Sequence, residues 1–210
     1  MIGTLFLGAA GCGGDGDDDH LPKDYKVVAG TQLCGGDAVS ADAAKALKVI
    51  TGSSRFEASG EEYSVAQAAT EIAGAFPAPT LSKDLCRVYT PIGTPEFELR
   101  ITWRLEEGTP TGTPDPDFTV LKMGERAVAG EDNAYVFFAC RSPRLVELAG
   151  PAHISINVRR WGMPKPPEAD IKALKNAYAT VAHSFSLAMA EKLQCEKNGG
   201  LPAKPVLIPA

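Results

Sequence analysis

Phe97-Glu98-Leu99-Arg100-Ile101-Thr102-Trp103-Arg104-Leu105-Glu106 alternates apolar and polar residues over ten positions. A strand turns successive side chains to opposite faces, so this run reads as a strand with one dry face and one wet, charged face. The same period returns at Ile154, Ile156 and Val158, alternating with Ser155, Asn157 and Arg159 in a strand expected over Ile154 to Trp161. Phe118 to Met123 is a further strand. Arg126 to Gly130 and Ala134 to Cys140 form an expected hairpin about Glu131-Asp132-Asn133. Tyr25 to Thr31 is a short strand. Gly108 to Asp117, with three Pro and two Gly, is a loop.

Outside this block the period is helical. Ser40 is a good N-cap with Asp42 in the first turn. Val39, Ala43, Leu47 and Ile50 form one apolar stripe, and Gly52 is the stop. Ser64-Val65-Ala66-Gln67 reads as a capping box, with Val65, Ala69, Ile72 and Phe76 as the buried face and Pro77 and Pro79 ending the helix. The strongest element runs from Glu168 to about Gln194. Its stripe of Ile171, Leu174, Tyr178, Val181, Phe185, Met189 and Leu193 has spacings of 3, 4, 3, 4, 4 and 4, and at ~1.5 Å per residue it would be roughly 39 Å long. Met163-Pro164-Lys165-Pro166-Pro167 is a stiff connector into it.

The pattern predicts an α+β fold in two layers. An antiparallel sheet of about four to six strands packs under two or three helices, including the long C-terminal one. The strands cluster between helices instead of alternating with them, which argues against a doubly wound α/β sheet.

Composition narrows the partners. The chain's 210 residues, 44% of them hydrophobic, suit one domain with a real core. Net charge is −5, from 21 basic and 26 acidic residues. Asp15, Asp17, Asp18, Asp19 and Asp24 stand against Lys23 alone near the N-terminus, so the body from Tyr25 onward carries 20 basic and 21 acidic residues. That near-neutral body argues against nucleic acid, which calls for a basic patch. The Asp run lacks the 12-residue loop with a closing Glu that a calcium site needs and reads as a solvated spacer.

Cys12 sets the compartment. It follows a short apolar run, Met1 to Gly11, and precedes Gly13-Gly14-Asp15, the arrangement of a lipoprotein processing site in which the Cys is acylated. Ala9 at −3 and the missing basic n-region depart from a full secretory signal and are read as a start placed too late. The run is too short to span a membrane, which takes ~20 residues, whereas two acyl chains suffice for anchoring. The other four cysteines, Cys34, Cys86, Cys140 and Cys195, are separated by 52, 54 and 55 positions with no C-x-x-C. In an exported protein they imply two disulfides. Three connectivities are possible and the sequence does not choose among them. The expectation adopted is Cys34–Cys86 and Cys140–Cys195, one staple per half.

No catalytic set is legible. G-x-S-x-G, S-x-x-K, H-E-x-x-H, a P-loop and a helix-opening G-x-G-x-x-G are all absent. The three His (His20, His153 and His183) are scattered, whereas a metal site needs two or three together with carboxylates. His183 with Ser184 or Ser186 is a weak base–nucleophile candidate, because neighbours on a helix do not face each other. No catalytic residue, metal ligand or cofactor is therefore expected. Two binding candidates remain. One is the strand face Arg100, Thr102 and Arg104 with Glu98 and Glu106, which reads equally as a solvated face with cross-strand ion pairs. The other is Arg159-Arg160-Trp161. Arg suits carboxylate and phosphate, so either can hold an anionic envelope polymer.

Leu33-Cys34-Gly35-Gly36, Lys45 to Gly52, Val136 to Cys140, Ala182-His183-Ser184-Phe185 and Lys192 to Glu196 leading into Gly199-Gly200-Leu201-Pro202 together resemble uncharacterised exported lipoproteins of actinobacteria, the high-GC Gram-positive bacteria. The resemblance implies export, lipidation at Cys12 and disulfide staples, and brings no activity to particular residues.

The expected organisation is a signal-peptide remnant (1–11), a lipid-anchored acidic tether (12–24), a single domain (25–198) and a Pro-rich tail (199–210). The expected protein is a monomeric lipoprotein on the extracellular face of the cell membrane. It would be a binding or accessory module for an anionic envelope polymer or another envelope protein. The alternative is an exported hydrolase or wall-modifying enzyme.

Overall fold

The computed structural model describes residues 25–145, 150–162 and 169–210. The signal-peptide remnant, Cys12, the tether and the connector at 163–167 lie outside the described residues. The fold is α+β. The chain runs β1 (Val27–Ala29), α1 (Ala41–Thr51), β2 (Arg55–Glu57), α2 (Val65–Ala75), β3 (Lys83–Tyr89), β4 (Glu98–Glu106), β5 (Thr119–Leu121), β6 (Arg126–Ala129), β7 (Asn133–Cys140), β8 (Ala152–Gly162) and α3 (Ile171–Lys192).

Each helix starts where a side-chain oxygen takes an orphan N–H. Ser40 Oγ accepts from Ala43 N at 3.1 Å, and Gly52 ends α1 in the left-handed region at φ 75°. Ser64 Oγ accepts from Gln67 N at 3.2 Å. The reciprocal half of the expected capping box is absent, because the Gln67 amide donates to Glu71 instead. Asp170 accepts from Ala173 N at 3.0 Å. This cap starts α3 three residues after the expected Glu168, so its 22 residues make it about 33 Å long.

Six strands form one antiparallel sheet in the order β3-β4-β8-β7-β6-β5, and β1 pairs with β2 in a small second sheet. β8 is inserted between β4 and β7, so it pairs with β7, the strand just before it, and with β4, three strands earlier still. Leu99, Ile101, Trp103 and Leu105 of β4 are buried on one face, beside Ile154, Ile156 and Val158 of β8 and Val136 and Phe138 of β7. Helix α3 packs against β6, β7 and β8 and against α1 and α2. Side chains of all three helices join the sheet's inner face in one continuous core.

β1 falls at the centre of the strand expected over 25–31, whereas β2 and β3 are not among the strands expected from the sequence. In β3 the register slips between Asp84 and Cys86, leaving Leu85 and Cys86 both buried. A bulge of this kind breaks the period on which a strand is recognised.

The body cysteines pair as Cys34–Cys86 and Cys140–Cys195, with Cα separations of 5.7 and 4.9 Å. The first pair ties the segment before α1 to edge strand β3. The second ties the end of β7 to the chain leaving α3. Residues 199–210 lie along the body. Leu201 is buried, Val206 N donates to Met123 Sδ, and Ala210 N donates to Val120 O at 2.9 Å on β5. Gly199 (φ 65°) enters this path where an added Cβ would stand 2.7 Å from the Phe138 ring.

Candidate functional site

The helices cover one face of the large sheet. On the other face, the loop between β4 and β5 is tied to the β6–β7 side. Phe118 meets Tyr135 edge-on with ring centres 6.4 Å apart, Thr109 donates to Glu125 at 2.9 Å, and Arg126 donates to Thr111 O. The β3-β4-β8 side carries a cleft of about 270 Å³ lined by Ser82, Asp84, Arg100, Thr102, Asn157, Arg159 and Trp161.

Sheet register builds this cleft. Arg100 of β4 lies directly opposite Arg87 of β3 on one side and Arg159 of β8 on the other. Like charges directly opposite destabilise a sheet, and two of the three are locally offset. The Arg87 guanidinium donates to Asp84, from Nε at 2.9 Å and also from Nη2. These hydrogen bonds raise its pKa above the ordinary arginine value. Arg100 Nε donates to Glu98 at 3.0 Å. Arg159 has no carboxylate within 4.0 Å among the described residues. Trp161, 53% exposed, lies against the guanidinium groups of Arg100 and Arg159, with Cζ of Arg100 3.8 Å from a ring centre and Cζ of Arg159 5.7 Å. Cation–π attraction at these distances holds two positive groups side by side.

The structure divides the residues singled out from the sequence. Arg159 and Trp161 join Arg100 and Thr102 in one cleft, merging parts of two candidates that lie far apart in the chain. Arg160 is not with them. It pairs in register with buried Leu99 and so points to the helix-covered side, where Nη2 lies 3.7 Å from Asp132. Arg104 also stands apart, 3.4 Å from Glu106. Asp84 and Asn157 reach the cleft through their pairing on either side of Thr102, Ser82 reaches it just before β3, and none of the three has a signal of its own in the sequence.

The helical base–nucleophile candidate is not assembled. Ser186 is fully buried and its Oγ donates to Ala182 O within α3. His183 Nε2 donates to Pro202 O at 2.7 Å, and burial lowers the imidazole pKa below its ordinary value. Ser184 is engaged with the backbone of the segment before α1. On the open sheet face, His153 Nδ1 meets Glu125 at 2.9 Å, while Ser155 donates to Glu106 at 2.6 Å. These two pairs leave Ser155 bonded to a carboxylate, not to an imidazole. Among the described residues no group of three or more His, Cys, Asp and Glu side chains is placed to share a metal ion, and no helix is long and apolar enough to cross a membrane. Compared with family models, curated proteins and solved structures, the chain matches none of them.

Proposed function

We propose that the chain is an exported lipoprotein, acylated at Cys12 and held at the extracellular face of the cell membrane. There it works as a binding or accessory module of the envelope. The observation that carries this reading is the pairing of all four body cysteines, since disulfides persist in oxidising compartments and are rare in the cytosol. The lipoprotein-like context of Cys12 and the resemblance to exported actinobacterial lipoproteins point the same way. An open cleft rich in guanidinium and hydroxyl donors supports binding of an anionic envelope polymer. A surface of another envelope protein is the competing partner. The protein acts as a monomer, with the lipid as its only membrane contact.

The test is the intact mass of the native protein from a membrane fraction, before and after reduction and alkylation. A chain starting at Cys12, carrying acyl mass and taking up alkyl groups on the body cysteines only after reduction, is the expected result. An unacylated chain whose body thiols alkylate without reduction refutes the reading. One observation favours an exported hydrolase as a second reading. The Glu125 carboxylate orients the His153 imidazole as in general-base pairs, beside a cleft that also holds Glu106 and Glu107. Turnover of ester or glycan substrates that disappears in H153A and E125Q supports this reading, and no turnover by the wild type retires it.

A further inference from the structure

We propose that Arg100 and Arg159, held together by Trp161, form a clamp for the phosphate groups of a phosphodiester-linked envelope polymer. This inference rests on the reading of the chain as an envelope binding module and names its ligand chemistry.

Three observations carry it. Two guanidinium groups occupy directly opposed positions on adjacent strands, an arrangement that repels itself until an anion lies between them. Both stand against the same exposed indole, at 3.8 and 5.7 Å, so they are placed before any ligand arrives and less side-chain freedom is lost on binding. The positive groups also outnumber their partners. Asp84 and Glu98 serve Arg87 and Arg100, while Arg159 has no carboxylate partner among the described residues and projects into the cleft.

The donor geometry selects the anion. A carboxylate is matched by the fork of a single guanidinium. A carboxylate presents its acceptor sites in one plane, whereas the two free oxygens of a tetrahedral phosphodiester accept outside any single plane, which suits two forks arriving from neighbouring strands. Ser82, Thr102 and Asn157 line the same cleft. Their hydroxyl and amide groups can bond the polyol or sugar hydroxyls that flank each phosphodiester, and Asp84 can accept from them.

The probe is a soluble glycerol-phosphate polymer titrated into the full chain. Trp161 emission serves as the signal, because the only other tryptophan, Trp103, is fully buried. Calorimetry gives a second readout. The expected result is saturable binding that weakens with salt, as screened charge pairs do. Arg159 is exposed, so R159Q should keep the fold and lower affinity about tenfold, the loss of one charge-assisted contact. R160Q removes the same charge from the neighbouring position on the other face and should change affinity by less than about twofold, as screened remote charges do. Equal losses in R159Q and R160Q would reduce the effect to net charge and overturn the clamp. So would unchanged binding in R159Q, or a polyuronate that binds as tightly as the phosphate polymer. Mass analysis of the same preparation separates the two layers of the claim. An acylated, disulfide-bonded protein that ignores the polymer overturns the clamp alone. An unacylated chain with free thiols that still binds overturns the envelope assignment alone.

Discussion

Ser184 and Ser186 lie two residues apart on α3 and are both buried, yet truncating them should have very unequal consequences. Ser184 Oγ accepts from Ser40 N at 2.9 Å and donates to Ala38 O at 2.8 Å. It thus fastens the N-cap of α1 to the middle of α3. Ser186 Oγ donates to Ala182 O at 2.8 Å, one turn back on its own helix, where the carbonyl keeps its backbone partner. Ser184→Ala therefore removes two tertiary hydrogen bonds and leaves a donor and an acceptor near the core. At ~0.5–1.5 kcal/mol each, the loss is about 1–3 kcal/mol. Better helix propensity of Ala over Ser returns up to ~0.5 kcal/mol of this. Ser186→Ala strands no group and gains the same propensity, so its change is expected within ~0.5 kcal/mol of zero. Urea unfolding of the two variants beside the wild type measures this directly, with midpoints compared at constant m. Ser184→Ala should also melt lower by several degrees, at about 2–4 °C per kcal/mol for a domain of this size. Equal shifts in the two variants would falsify the reasoning, since they would mean that Ser184 makes no tertiary contact beyond what its helix provides.

Replacing Cys140 and Cys195 together by Ala opens a loop of 55 positions, for which loop-closure entropy gives a loss of about 4 kcal/mol. A non-reducing urea titration showing less than about 1 kcal/mol would mean that the unfolded chain is not constrained by this bond. Tyr178 on α3 is fully buried, and its hydroxyl has no hydrogen-bond partner among the described residues. Burial also pushes the phenol pKa up. Tyr178→Phe should accordingly hold or raise stability, by up to ~1 kcal/mol; a loss of that size would place a bonded partner on the hydroxyl. His183 is neutral in the fold because burial lowers its pKa below the ordinary 6.5, so below that pH the unfolded chain binds the proton first. Its contribution to stability is complete above about pH 6.5 and is lost as pH falls toward the depressed folded value. Urea midpoints between pH 7.5 and pH 5 should fall less steeply in His183→Gln, and parallel profiles would assign the acid loss to other groups.

How much could be read in advance varied with the kind of interaction. The β4 run 97–106, the caps at Ser40 and Ser64 and the stripe of α3 depend on residues within a few positions of one another, so period and capping chemistry found them. The cap at Asp170 was passed over because the helical pattern continues upstream to Glu168, and the pattern does not distinguish a capping Asp from one in the first turn. β3 escaped because its bulge puts Leu85 and Cys86 on the same buried side. The Arg159-Arg160-Trp161 cluster is one patch in the sequence but not in space. In a strand, adjacent residues face opposite ways, and that parity sends Arg160 to Asp132 and leaves Arg159 with Arg100.

What the chain determined by itself was therefore its local structure and layering: helices with apolar stripes, strands with one charged face, and a C-terminal helix long enough to span several strands. Hydrophobic period and end-capping are encoded over one or two turns of chain and need no partner to be legible. Only the tertiary structure decided that β8 inserts between β4 and β7, that Asp84, Arg100, Asn157 and Arg159 share one cleft, and that Ser184 grips the start of α1. Those outcomes are set by register between strands such as β4 and β8, whose paired residues lie 47 to 64 positions apart, and by the packing of α3 onto α1. The free energy that selects one register is that of filling a single common core, a quantity that no local stretch of sequence contains.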